Sequence, residues 1–235
     1  MNIEPIARIH TDFPTKFGVP RQSGLASGLV STIMFEPPYR NPDCLRGIAD
    51  FSHLWLIWEF DKVAGAGWSP TVLPPKLGGK TRVGVFATRS PFRPNPLGMS
   101  CVVLTGVRQD TRLGPVLCLS GADLMDGTPV FDIKPYLPYS DCFPDARAGF
   151  TALAPDLLLD VDFPPELLAH IPEAHRSALL GVLSHDPRPS YQDDPARRYG
   201  MGFAGFDIHF TVSEGRLTVV DVVPMEPSEK GSASQ

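Results

Sequence analysis

No apolar run approaches the ~18 residues that cross a bilayer, and MNIEPIARIH has no basic region leading into an apolar core. A cytoplasmic protein without membrane contact is therefore expected. The four cysteines, Cys44, Cys101, Cys118 and Cys142, form no CxxC pair, and two of them sit inside apolar runs. This disfavours a zinc ribbon or a disulfide framework and fits a reducing compartment. The six histidines show neither HExxH nor another paired ligand spacing, so metal-assisted hydrolysis has no motif to stand on. No GxSxG marks a nucleophile elbow. Nor is there an excess of positive charge: the net charge is −5 and the pI about 5.6, so an anionic partner must be met by a local patch. GMGFAG, residues 200–205, matches GxGxxG letter for letter but has no strand before it and no helix after it. It is read as loop glycines rather than a phosphate cradle.

Proline is abundant, 26 of 235 residues, and is spread between apolar runs rather than gathered in one block. IARI, LVSTIMFEP, HLWLIWEF, RVGVFAT, SCVVLTGV, PVLCLSG and PVFDIKPYL are short and rich in Val, Ile, Leu and aromatics, with Gly, Pro, Asn or Asp between them. Such runs predict closely spaced strands, hence a small barrel or sandwich rather than a doubly wound parallel sheet. LWLIW, residues 54–58, is apolar on both strand faces and needs cover on both. NPDCLRGIADF reads as a helix with Asn41 as its cap. Later the pattern changes: a helix is predicted over about 173–184, followed by a hairpin from GFDIHFTV and RLTVVDVVPM. The fold class is thus mainly β, a small barrel over residues 3–147 followed by an α+β domain over 148–225, with 226–235 a disordered tail.

Two loops carry candidate chemistry. Between Lys76 and Arg93 stand Lys76, Lys80, Arg82, Arg89 and Arg93 without one carboxylate. Pro91, Pro94 and Pro96 stiffen this segment, so its arginines lose little entropy on gripping an anion. A solvated basic loop is the plainer reading. The second loop, GADLMDGTPVFDIKPYLPYSD, sets Asp123, Asp126 and Asp132 near Lys134, where a simple Asp-Gly turn is the alternative.

FGVPRQSGL (17–25), FSHLWLIWEF (51–60), GVFATRSPFRPNPLGMS (84–100), DLMDGTPVFDIKPYLPY (123–139) and DPRPSY (186–191) resemble, in order, the signature segments of the TsaA-like family of TrmO-type tRNA methyltransferases. The resemblance implies a β-barrel that uses S-adenosyl-L-methionine to methylate the exocyclic amino nitrogen of threonylcarbamoyl-adenosine, next to the anticodon of tRNA. It also implies a homodimer with the cofactor near its interface. It places the cofactor among Pro20, Arg21, Gln22, Asp61, Lys62, Arg89, Met99, Gly121, Ala122, Asp123 and Leu124. Arg89 is the expected carboxylate grip, because a guanidinium binds a carboxylate bidentately.

The acceptor nitrogen belongs to a urea-like group and needs its proton removed, so Asp126, or after it His53, is expected as catalytic base. Either could instead be structural. For the RNA, Lys80, Arg93 and Lys134 are expected on phosphates, and Phe92, Tyr136 or Tyr191 under unstacked bases. Asp186, Arg188 and Pro189 of DPRP, followed by Arg197 and Arg198, are expected to bring the second domain to the same RNA, although Asp-Pro also ends a helix. A non-catalytic barrel that binds RNA or a small anion is the competing function.

Overall fold

The computed structural model describes residues 2–63, 65–153, 158–189 and 194–226. Eight strands form in the first part: β1 (Ala7–His10), β2 (Val30–Phe35), β3 (His53–Glu59), the minimal ribbon β4 (Thr71–Val72) and β5 (Val83–Gly84), β6 (Leu97–Asp110), β7 (Gly114–Ser120) and β8 (Pro129–Pro135). Six of them close into an antiparallel barrel in the order β1-β2-β7-β6-β3-β8. The strand β6 makes closure possible by pairing with β3 through Leu97–Val103 and with β7 through Val103–Asp110, its register breaking between Leu104 and Gly106. Alternate residues of each strand point inward, and Ile9, Ile33, Leu54, Leu56, Val102, Leu117, Leu119 and Val130 fill the interior. Burying one such side chain contributes about 1.5–3 kcal/mol.

The two-faced strand is β3. Leu54, Leu56 and Trp58 face the core, and Trp55 and Ile57 are half-buried on the outside. The short helix α1 (Pro138–Asp141) binds that outer face where Asp141 accepts the Trp55 Nε1–H at 3.0 Å.

Two segments depart from expectation. RVGVFA is no core strand: only Val83–Gly84 is extended, and a 3₁₀ turn takes Val85–Ala87, leaving Val85 buried and Phe86 76% exposed. The six barrel strands already pair with one another, so this stretch has only the two-residue β4 to bond to. NPDCLRGIADF forms two 3₁₀ turns, Pro42–Leu45 and Ile48–Asp50, broken at Gly47. Asn41 caps the first, its side chain accepting the Asp43 N–H at 3.0 Å.

The second part holds β9 (Asp160–Asp162), α2 (Pro165–Leu168), α3 (Glu173–Ser184), β10 (Tyr199–Phe203), β11 (Phe206–Ser213) and β12 (Arg216–Pro224). The sheet runs β10-β11-β12-β9, with β9 parallel to β12, and α3 lays Ala178, Leu179, Val182 and Leu183 on it. GMGFAG is β10 with its turn into β11, so a strand follows these glycines.

The second core also takes residues from the first part of the chain. Between β1 and β2 a strap, residues 11–29, leaves the barrel and inserts Phe13, Ala26 and Leu29 among Leu179, Phe203 and Phe210. The Phe13 ring meets Phe203 edge-on at 5.3 Å, and Phe17 stacks on Tyr199. Gly18 (φ +92°) permits this contact, since a Cβ there would overlap the Met201 sulfur. None of the helices described is long and apolar enough to cross a membrane.

Candidate active site

At the barrel end where β3 finishes and β6 starts, a cleft of about 630 Å³ opens. Trp58 and Glu59 reach it from β3, Leu97, Gly98 and Met99 from β6, and Asp123, Leu124 and Met125 from the segment after β7. The strap supplies Lys16 and Val19–Gln22, and the proline loop supplies Thr88, Arg89, Pro91, Arg93 and Asn95. Gly98 stands directly opposite Trp58 in the ladder, and a Cβ there would run into the indole. The missing side chain is what lets Trp58 form the cleft floor.

The proline loop is braced from within. The Thr88 hydroxyl donates to the Val85 carbonyl at 2.8 Å and accepts the Ser90 N–H at 3.2 Å, while Arg93 donates to the Thr88 carbonyl at 3.3 Å. From this frame Arg89 donates to the Gln22 side-chain oxygen, and Gln22 in turn donates to the Arg21 carbonyl. Arg21 completes the chain by donating to the Arg188 carbonyl at 3.3 Å. One path of hydrogen bonds thus joins the proline loop, the strap and the DPRP turn around the cleft rim.

Asp123 sits deepest of the cleft acids in hydrogen-bonding terms. The Ser100 hydroxyl donates to its Oδ1 at 2.5 Å, and Ser100 itself accepts the Trp58 Nε1–H at 2.9 Å. Burial pushes the Asp123 carboxyl above the ordinary aspartate value, and the Ser100 bond, neighbouring backbone N–H groups and the Arg89 charge oppose that rise without cancelling it. Asp61, by contrast, is paired with Lys62 at 2.7 Å.

Of the residues expected at the cofactor, Pro20, Arg21, Gln22, Asp61, Lys62, Arg89, Met99, Asp123 and Leu124 line this cleft. Gly121 and Ala122 do not: Gly121 turns the chain while bonding Leu29 and Gly24, and Ala122 is buried in the barrel core. Arg93, expected on RNA, lines the same cleft as Arg89, expected at the cofactor.

The expected bases lie elsewhere. Asp126 is not in the lining; its Oδ1 meets His10 Nδ1 at 3.0 Å and the Thr11 N–H at 3.3 Å, tying its turn to β1. His53 starts β3, six residues and so about 20 Å from the cleft end of that strand, beside Ser52 and Tyr136. Lys134 and Tyr136 gather at that distant end too, Lys134 paired with Asp132 at 2.9 Å and Tyr136 against Trp55. Lys80 follows the turn Pro75–Leu77, in the loop that joins β4 to β5. Arg188 is folded onto Asp186 through two bonds of 2.9 Å, leaving 12% of its side chain exposed, and Pro189 follows it. Tyr191 lies outside the described residues.

Ser100, Trp58 and the exposed aromatics Trp68 and Phe86 escaped the sequence reading. The first two are 23 and 42 residues from their bonding partners, a separation that no local pattern reveals. Trp68 and Phe86 flank the ribbon β4–β5, where the Ser69 N–H bonds the Phe92 carbonyl at 3.4 Å. Their composition was visible, since no Asp or Glu occurs between Asp61 and Asp110.

Comparison with known proteins is consistent along the chain. The family described as tRNA-methyltransferase O N-terminal domain matches residues 8–142, and the TrmO C-terminal domain matches residues 156–225. A tRNA (adenine(37)-N6)-methyltransferase of Escherichia coli is 39% identical over 94% of this chain and 97% of its own. A protein of the same name from Eikenella corrodens is 47% identical over 75% of this chain and 99% of its own. The crystal structure of TrmO from Pseudomonas aeruginosa superposes with a TM-score of 0.75 at 34% identity, covering 95% of this chain and 98% of that one.

Proposed function

The chain belongs to the tRNA-methyltransferase O family, and from that premise we propose that it methylates the exocyclic amino nitrogen of threonylcarbamoyl-adenosine beside the anticodon of a tRNA. The observation that carries the reading is the composition of the cleft wall. Cations (Arg21, Arg89, Arg93), carboxylates (Glu59, Asp61, Asp123) and apolar surface (Trp58, Leu97, Met99) meet in about 630 Å³. That volume lies within the ~300–1,000 Å³ usual for small-molecule sites. The donor set suits S-adenosylmethionine, whose carboxylate, cationic centre and adenine need these three kinds of surface. When bound, that group supplies an electrophilic methyl on a sulfonium.

In this reading Arg89, fixed through Gln22, takes the cofactor carboxylate, and the apolar part of the lining takes the base. The RNA meets the rim. Trp68, Phe86 and Phe92 are exposed on a carboxylate-free stretch carrying Lys76, Lys80 and Arg82, the pairing of flat faces and cations that single-stranded loops require. The DPRP turn serves here as a brace, holding the cleft wall through Arg21 instead of offering Arg188 to phosphate. The chain acts as a homodimer; Met99 and Val103, exposed on the outward row of β6, are the apolar surface that supports this.

Mass spectrometry of tRNA nucleosides from cells with and without the gene tests the activity. Loss of the N-methylated threonylcarbamoyl-adenosine is expected in the deletion strain, and an unchanged nucleoside profile would overturn the assignment. Calorimetry with S-adenosylmethionine separates it from a barrel that only binds RNA, which should give no heat.

A further inference from the structure

The proposed reaction leaves one task without an owner. The acceptor nitrogen shares its lone pair with a carbonyl and carries a proton, so it attacks poorly unless a base in the cleft takes that proton. Asp126 and His53 are not cleft residues, and of the acids that are, Asp61 is engaged by Lys62. Glu59 ends β3 without a described side-chain partner to fix its carboxylate, whereas Asp123 is held in place.

That hold has a defined polarity. An indole nitrogen only donates, so Trp58 must give its N–H to Ser100, and Ser100 must turn its single proton outward to Asp123. Ser100 is 1% exposed, which keeps water from substituting for either link. The relay therefore presents Asp123 as an acceptor, anchored through Oδ1 to the paired strands β3 and β6.

We propose that Asp123 is the proton acceptor of the methyl transfer, with Ser100 and Trp58 as positioning residues. The substrate N–H bond breaks and its proton passes to a carboxylate oxygen of Asp123. The freed nitrogen pair forms the N–CH₃ bond as the S–CH₃ pair returns to sulfur, leaving a neutral thioether and a neutral carboxyl. Burial makes this carboxylate a stronger base than an exposed one, and the Arg89 charge favours its ionised form before the reaction. This role rests on the activity proposed above.

Asp123→Asn keeps the shape and the Ser100 bond while removing the base. In single turnover, with modified tRNA saturating and S-adenosylmethionine held well above the calorimetric Kd measured for the variant itself, so that the loss of a cleft carboxylate from the cofactor's surroundings does not enter, its rate should fall about 10²–10⁴-fold. The wild-type rate should rise with pH as the carboxyl ionises and then level, and the variant should lack that limb. Ser100→Ala removes a donor to the ionised form, so the midpoint of the rate profile should move up. The ¹³C NMR titration of Asp123 in the ligand-free protein should move with it. A rate for Asp123→Asn within about threefold of wild type under those conditions overturns the proposal. An unmoved carboxyl titration in Ser100→Ala removes the positioning role. If wild-type protein gives no heat with the cofactor, the assigned activity itself falls, and this role with it.

Discussion

Two tryptophans on β3, three residues apart, each direct an indole N–H toward an aspartate, and the two aspartates end in opposite states. Trp55 faces outward and bonds Asp141 directly at 3.0 Å; the Leu137 N–H adds a second bond at 2.9 Å, and these donors hold the Asp141 carboxyl below the ordinary aspartate value. Trp58 faces inward and reaches Asp123 only through Ser100, and there burial prevails and the carboxyl is pushed up. The residue types are the same. Both carboxylates accept hydrogen bonds; what differs is the access of water. At one end of the barrel a carboxylate has spent its basicity on fastening α1 over the exposed face of Trp55. At the other its basicity is kept, next to Arg89 in a cleft.

The sharpest way to break this contrast is to neutralise each acid in turn. Asp123→Asn should cost about 10²–10⁴-fold in single-turnover methylation, and Asp141→Asn should leave that rate within about twofold. The next effect is on the cofactor: Arg89→Ala removes a charged donor worth about 1.5–3 kcal/mol, so the calorimetric Kd should rise roughly 10- to 100-fold. Lys134→Ala, at the other end, should not change it. For RNA, Trp68→Ala or Phe86→Ala should raise the KM for tRNA about fivefold to tenfold by loss of base stacking, with cofactor affinity unchanged. Tyr136→Ala should raise it less, since its ring packs on Trp55 and His53 away from the cleft.

The smallest effect is thermal, and its sign differs between the acids. A folded-state value below the unfolded one stabilises at neutral pH, and this contribution disappears as pH falls through the folded value, so Asp141→Asn should lower the Tm near neutrality and not in acid. Asp123 has the reverse shift: its ionisation weakens the fold as pH rises through its folded value. Asp123→Asn should therefore melt higher than wild type near neutrality, and that advantage should fade as pH drops to where the wild-type carboxyl is protonated in both states.

Much of this architecture was legible in the sequence. Short apolar runs set off by Gly, Pro, Asn or Asp located the barrel strands, and the helix at Glu173–Ser184 and the C-terminal hairpin were legible too, because each buries one regular face. The segments around Pro20–Gln22, Asp61 and Arg89, expected at the cofactor, do line one cleft. The structure places the acids differently from the sequence expectation, for a physical reason. Asp126 stands in an inviting Asp-Gly turn, but what occupies its carboxylate, His10 and Thr11, lies 116 and 115 residues away. Asp123 was expected at the cofactor and not as a base, since neither Ser100 nor Trp58 is near it in the chain. Arg188 is different: its partner Asp186 is two residues away, so its internal pairing was open to a local reading.

The strap also sets an order of events. Phe13, Ala26 and Leu29 leave the ribosome long before β12, whose Val219 and Val222 belong to the core that buries them. At about 5–20 residues per second, the roughly 190 residues between Leu29 and Val222 take on the order of 10–40 s to make. Once β8 has been made, and until β12 follows, a finished barrel would carry an open loop with greasy side chains and no docking sheet. The wall formed by Val19–Gln22 is therefore the last part of the cleft to be set, and a nascent chain acquires that wall only after β12 has been made.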